Sequence, residues 1–183
     1  MKEISLNLAY KLLAPRPTVI VTTISKDGIV NAAPFSFTMP ISMDPPIVAF
    51  ASVPEHDTTK NIKETKEFVM NLVHEDIIEM MWITAKKFPR DVNELEKANL
   101  TEIKSKVVSP PKIKESFGHL ECKAIKIEEI GDHCLIVGKV VNATVKKNCI
   151  KDELLNVEKI KPVLHVGGKK FVIGDHVRFI HDI

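Results

Sequence analysis

The alternation of apolar and polar residues predicts a chain of short strands with a few inserted helices. Residues 18–24 form an apolar run rich in β-branched side chains, the mark of a first strand. Lys26-Asp27-Gly28 follows, and Asp-Gly signals a hairpin because the turn needs positive φ. The chain returns through residues 29–33. Asp44-Pro45-Pro46 punctuates the approach to a buried strand over 47–53. Asp57 or Thr58 is placed to cap a short helix ending near Glu67. A strand over 68–73 comes next. Ile78, Met81, Trp82 and Ala85 share one helical face and predict a helix over 75–87. Residues 90–100 carry a third, short helix before Pro110-Pro111 breaks the chain.

In the second half, Leu120, Cys122 and Ala124 share one parity, and Ile125 and Ile127 take the other. One extra residue of that kind is a β-bulge. Residues 134–145 read as a long strand interrupted by Gly138, which permits a bend or the close approach of another backbone. Residues 150–160 predict a helix. Residues 163–166 and 169–173 flank Gly167-Gly168 as a second hairpin. Hairpins with helices inserted among them argue against a doubly wound α/β sheet. They predict a mainly β fold, an antiparallel barrel with peripheral helices.

The length of 183 residues suits a single domain, 1–183, with a sizeable core. An apolar fraction of 44% and a charged fraction of 27% are those of a globular protein. No window approaches the roughly 18 apolar residues of a membrane span. Residues 1–10 do not read as a signal peptide, so a cytoplasmic protein is expected. The 26 basic residues nearly balance the 24 acidic ones, and the lysines are interspersed with glutamates. That pattern is a solvated surface and not a nucleic-acid patch. Cys122, Cys134 and Cys149 are odd in number and lack C-x-x-C spacing, which argues against a disulfide framework or a zinc site.

Several chemistries lack their sequence marks. There is no G-x-G-x-x-G, no G-x-x-x-x-G-K-[ST], no H-E-x-x-H and no G-x-S-x-G. Two segments have chemical potential. Asn31-Ala32-Ala33-Pro34-Phe35-Ser36-Phe37-Thr38 mixes small residues, aromatics and hydroxyls. It either accepts a planar, hydrogen-bonding ring or ends a strand with core phenylalanines. Residues 52–61 join a strand to a helix start, where free backbone N–H groups bind phosphate. Ser52, Thr58 and Lys60 are placed to assist there; the alternative is plain capping by Asp57 or Thr58. His74, His119, His176 and His181 show no metal-ligand spacing and read as surface or turn residues. His165, between Leu164 and Val166, reads as a core or interface residue ahead of a catalytic one.

An ordered set of short motifs adds a resemblance. It runs from Leu13-Ala14-Pro15-Arg16-Pro17-Thr18 through Val21-Thr22-Thr23, Asp27-Gly28 and Asn31-x-Ala33-Pro34-Phe35-Ser36-Phe37 to Asp44-Pro45-Pro46. It continues with Asp57-Thr58-x-x-Asn61-Ile62, Glu67-Phe68-Val69-x-Asn71, Glu94-Leu95-Glu96-Lys97-Ala98 and Leu120-Glu121-Cys122. Gly131-Asp132-His133 and Leu164-His165-x-Gly167-Gly168 complete it. Together these resemble the flavin reductase-like family, including flavoredoxins, of FMN-binding split barrels. The resemblance covers almost the whole chain in order.

It implies an antiparallel Greek-key split β-barrel that binds FMN. Asn31, Ala33, Pro34, Phe35, Ser36, Phe37 and Thr38 would lie along the isoalloxazine ring. Ser52 and Thr58 would hold the ribityl chain and phosphate, and Asn61 would be a further cofactor-binding residue. His133 would sit near the flavin or an incoming nicotinamide, and Phe171 would close over the ring from a neighbouring subunit. The family pattern also implies a homodimer with flavin at the interface. Phe35, Phe37, Met39 and the Met80, Met81 and Trp82 face of the second helix give local support, unless all of them enter one core. Two departures stand out. His56 occupies a place often held by lysine, leaving Lys60, Lys86, Lys87 or Arg16 to balance a phosphate. Lys169-Lys170-Phe171 replaces a tyrosine after the Gly-Gly turn.

The expected activity is NAD(P)H:flavin oxidoreduction, with NADH or NADPH as donor and a possible redox partner protein. The alternatives are a flavoredoxin-like carrier not reduced by a nicotinamide, and a non-catalytic FMN-binding protein. The cofactor carries such chemistry, so the absence of nucleophile motifs fits.

Overall fold

The structure, a computed structural model, describes residues 1–180. A 3-10 helix at Leu6–Leu13 precedes the short strand β1 (Arg16–Pro17). Strands β2 (Val19–Ile24) and β3 (Val30–Phe35) form the first hairpin, with Gly28 at φ 85° in its turn. Strands β4 (Thr38–Ser42) and β5 (Ile47–Ser52) form the next. Helix α1 (Asp57–Thr65) leads to β6 (Glu67–Leu72). Helix α2 (Ile78–Thr84), helix α3 (Glu94–Lys97) and the small pair β7 (Glu102–Ile103) and β8 (Lys112–Ile113) follow. Two 13-residue strands, β9 (Gly118–Ile130) and β10 (His133–Val145), make the longest hairpin. A second small pair, β11 (Ile150–Lys151) and β12 (Leu154–Leu155), precedes helix α4 (Val157–Ile160). Strands β13 (Val163–Gly167) and β14 (Lys170–Ile173) end the regular structure.

Seven strands form one antiparallel sheet in the order β3-β2-β6-β9-β10-β5-β4. Its two edges, β3 and β4, are consecutive in the chain and joined by only Ser36 and Phe37. Such a short link requires the sheet to curl until its edges meet, as in a split barrel. The Phe35 and Phe50 rings touch across that curl at 4.9 Å, and Phe50 meets Phe68 at 5.4 Å.

Strand β2 shows how the sheet serves two cores. Val19 and Val21 point into a cluster with Phe35, Phe50, Phe68 and Ile136 inside the curl. Ile20, of opposite parity, packs outside it with Met81, Leu95 and Ile113. Helix α1 adds Ile62 to the inner cluster, and α2 and α3 cover the outer one.

The expected bulge is present: Val137 pairs with Lys126 and Gly138 with Ala124, leaving Ile125 unpaired. A second bulge at Val141 had no parity signal. Gly138 admits a side chain, not a backbone, since a Cβ there would lie 2.7 Å from Phe68 Cε1. Other expectations need correction. Residues 150–160 are not one helix, because Asp152 and Glu153 take φ of 51° and 63° and turn the chain into the β11–β12 pair. Neither Asp57 nor Thr58 caps α1. His56 holds the N-cap position without a side-chain bond, and the Thr58 hydroxyl is committed elsewhere. His119 is not a surface residue: burial and a 2.7 Å contact to the Ile113 carbonyl fix it inside. His74 is half-buried against the Glu115 carbonyl, His176 is exposed, and His181 lies outside the described residues.

One buried carboxylate organises the long loop before β9. Glu121 accepts from the backbone N–H groups of Lys106, Val107 and Val108 and from Asn142 Nδ2. Burial alone would push its pKa up, but these donors outweigh burial and hold it below the usual carboxylate value.

Candidate functional site

The segment from Asn31 to Thr38 crosses the split and borders four contiguous clefts. The largest, about 420 Å³, is lined by Asn31, Thr58, Lys86, Lys87 and Glu94 among others. Its floor is a closed hydrogen-bond network. Thr58 Oγ1 donates to Asn31 Oδ1 at 2.8 Å, and Asn31 Nδ2 donates to Glu94 Oε1 at 2.9 Å. Glu94 Oε2 accepts from the Ala32 N–H at 2.9 Å. Asn61 stands behind this floor and does not line the cleft. Its Nδ2 donates to Thr23 Oγ1, whose hydroxyl contacts Asn31 Oδ1. With both ends engaged, the Asn31 amide has one orientation. Burial raises the Glu94 pKa above its ordinary value despite the Ala32 and Asn31 donors.

A smaller cleft of about 170 Å³ brings together Ser36, Phe37, Ser52, His56 and His133. Ser52 is buried and accepts from Thr59 Oγ1 at 2.8 Å. Burial, then the neighbouring His133 charge, depress the His56 pKa, so this imidazole is a poor cation for a phosphate. His133 tilts over Phe37 at 5.6 Å and donates from Nδ1 to Asp132 at 2.6 Å.

A third cleft of about 270 Å³ holds Pro34, Phe35, Ser36, Trp82, His165 and Phe171. Phe171 reaches it from its own chain, edge-on to Trp82 at 5.9 Å, so a second subunit is not needed to bring it there. The fourth, about 350 Å³, is mostly apolar and includes Tyr10, Phe37, Thr38 and Met39. Arg16 sits over the Phe37 ring at 5.2 Å and donates to the Tyr10 carbonyl.

The expected residues Asn31, Ala33, Pro34, Phe35, Ser36, Phe37, Thr38, Ser52, Thr58, His133 and Phe171 therefore all border these four clefts, which share lining residues. Glu94, Trp82 and His165 were missed as site residues. Glu94 stands in the sequence only as part of the Glu94-Leu95-Glu96-Lys97-Ala98 motif, and only folding sets it beside Asn31. Among the four candidate cations, Lys60 pairs with Asp57 at 3.6 Å and Arg16 lies at the far, apolar end. Lys86 and Lys87 line the cleft beside Thr58 and form no ion pair among the described residues.

The split of the curled sheet thus carries clefts that are polar at one end, with Lys86 and Lys87 beside Glu55, Asp57 and Glu94, and aromatic and apolar at the other. Residues 12–172 match the flavin reductase like domain. An uncharacterised protein of Aquifex aeolicus is 43% identical, with 94% of this chain and 93% of that one covered. Nitrilotriacetate monooxygenase component B from Bacillus cereus has a similar structure, with TM-score 0.88, 28% identity, and 100% and 98% of the two chains covered. The Pseudomonas fluorescens 2-nitrobenzoate 2-nitroreductase NbaA gives TM-score 0.87, 28% identity and coverage of 99% and 96%. The chain belongs to the flavin reductase-like family.

Proposed function

We propose that the chain binds FMN and passes electrons from NADH or NADPH through it to an acceptor. The observation that carries this reading is the division of the cleft. Lys86, Lys87, Thr58 and the first turn of α1 form one end, where unsatisfied helix N–H groups suit a terminal phosphate. The small residues Ala33 and Pro34 lead from it to Ser36 and Phe37, where an aromatic ring can lie close to the backbone. When bound, FMN supplies hydride acceptance and electron delivery. The chain's residues orient the ring, hold its phosphate and leave a face open beside His133 for a donor. No Rossmann pyrophosphate loop is present, so FMN is expected to bind more tightly than FAD. Titration calorimetry with both flavins tests that preference.

Anaerobic mixing of the FMN-loaded protein with NADH and NADPH tests the donor. Loss of flavin absorbance with either supports the reductase. Reduction only by dithionite or a partner protein supports a flavoredoxin-like carrier. Failure to bind flavin at all removes the reading. The 2-nitrobenzoate nitroreductase among the similar structures makes nitroaromatic acids reasonable acceptors to include.

A homodimer is part of the proposal, on a surface that overlaps the expected one at Phe37 and Met39 but loses the α2 face. Met81 is fully buried in the chain's own outer core, and Met80 packs against the same cluster. The exposed apolar face keeps Phe37 and Met39 and adds Ile41 of the edge strand β4, Met43 just beyond its end, and Leu6, Leu12 and Leu13 of the N-terminal 3-10 helix. No helix among the described residues is long and apolar enough to cross a membrane. Three unpaired cysteines fit the reducing cytoplasm.

A further inference from the structure

Two hydrogen bonds at His165 determine what Ser36 offers to a ligand. His165 Nε2 lies 3.1 Å from the Gly168 carbonyl. A carbonyl oxygen only accepts, so Nε2 must carry the proton. In the neutral imidazole Nδ1 is then bare, and it lies 2.9 Å from Ser36 Oγ. Ser36 must therefore donate its single proton to His165. Nothing else is left for the cleft but lone pairs.

The arrangement is braced. Strand β13 pairs with β14 so that His165 lies opposite Phe171. The two rings meet at 5.1 Å, and Trp82 supports Phe171 from α2. Ser36 borders three of the four clefts, where the chain crosses the split between β3 and β4. The group so controlled sits where three clefts adjoin.

We propose that His165 is a positioning residue that fixes Ser36 as a hydrogen-bond acceptor, so that the cleft recognises an N–H or O–H of the molecule it binds at that point. This rests on the flavin reading and sharpens it. Oxidised isoalloxazine carries one ring N–H and several bare acceptors; reduced isoalloxazine gains further ring N–H. A hydroxyl restricted to accepting binds the N–H edge and disfavours the bare nitrogens and carbonyls. An unrestrained serine would treat both alike.

Two measurements test the proposal. In the protein without flavin, in mildly alkaline buffer, long-range proton–nitrogen NMR of labelled histidine reports which ring nitrogen of His165 is protonated. The expected result is Nε2–H, and an Nδ1–H tautomer overturns the proposal. The second measurement compares binding of FMN, 3-methyl-FMN, which lacks the ring N–H of the oxidised form, and anaerobically reduced FMN. The wild type is expected to favour at least one N–H-bearing form over its counterpart by about tenfold, the scale of one hydrogen bond. Ser36→Ala and His165→Ala should each abolish that preference, with circular dichroism showing both variants folded. A preference unchanged in both variants overturns the proposal and leaves the flavin reading intact. If no flavin binds the wild type, the flavin reading fails, and the tautomer alone decides whether Ser36 is an acceptor.

Discussion

The two edges of the seven-stranded sheet follow one another in sequence and have opposite surroundings. Strand β3 is covered: α2 and α3 pack on it, and Glu94 bonds to both Asn31 and Ala32. Strand β4 is bare and presents Met39 and Ile41 to solvent, with Met43 exposed just beyond its end. The candidate site lies where they meet. One wall is finished by the chain itself, through a saturated polar network. The other wall carries apolar side chains along an edge with unpaired backbone groups, a surface that natural sheets cover or charge. Here it is neither, which is the physical basis for proposing a second copy.

The covered edge depends on Glu94. Glu94→Ala leaves the Asn31 Nδ2 group and the Ala32 N–H buried without partners. Loss of roughly 3 kcal/mol of stability in urea unfolding is expected. A loss below about 1 kcal/mol would mean that packing alone holds β3. At the bare edge, the double change Met39→Lys and Ile41→Lys should weaken self-association about a hundredfold, or about 2.7 kcal/mol. Because these side chains are exposed, the unfolding of the separated chain should hardly change. Sedimentation over a dilution series distinguishes the outcomes, and a wild type that stays monomeric at high concentration removes the dimer.

Within the finished wall, Thr58→Ala should weaken FMN binding by about tenfold, since it removes a hydroxyl that also steadies Asn31. An unchanged dissociation constant in a folded variant would take Thr58 out of the site. The smallest expected effect concerns two buried carboxylates with opposite pKa shifts. Glu94 is raised, so the folded state holds its proton more tightly, and its contribution fades as pH rises through the folded value. Glu121 is lowered, so its contribution is present above the unfolded value and fades as pH falls through the folded one. The stability difference between wild type and Glu94→Gln should therefore decline with rising pH. The corresponding difference for Glu121→Gln should decline with falling pH. Parallel slopes would refute this account.

Much of the fold was legible because strand signals are local. Val19, Ile20 and Val21 announce a strand buried on both faces, and the parity change at Ile125 marks a bulge. Residues 150–160 misled because two left-handed residues, Asp152 and Glu153, carry no glycine to announce them. The α2 face was read as surplus because the sequence does not show that the outside of β2 and β3 needs cover. In the site, the segment from Asn31 to Thr38 was legible through its ordered motifs. Glu94 and His165 were not, since their meaning lies in partners 63 and 129 residues away.

The three cysteines have a consequence for chemical durability. All are buried and unpaired, and burial pushes the Cys122 thiol up to about 12. A thiol that keeps its proton reacts slowly with alkylating agents and peroxide, because the thiolate is the reactive species. In the folded chain Cys122 is shielded twice, by occlusion and by protonation. Opening of the β9–β10 core removes both protections at once. The rate at which iodoacetamide labels Cys122 thus serves as a clock for that opening, readable without any flavin bound.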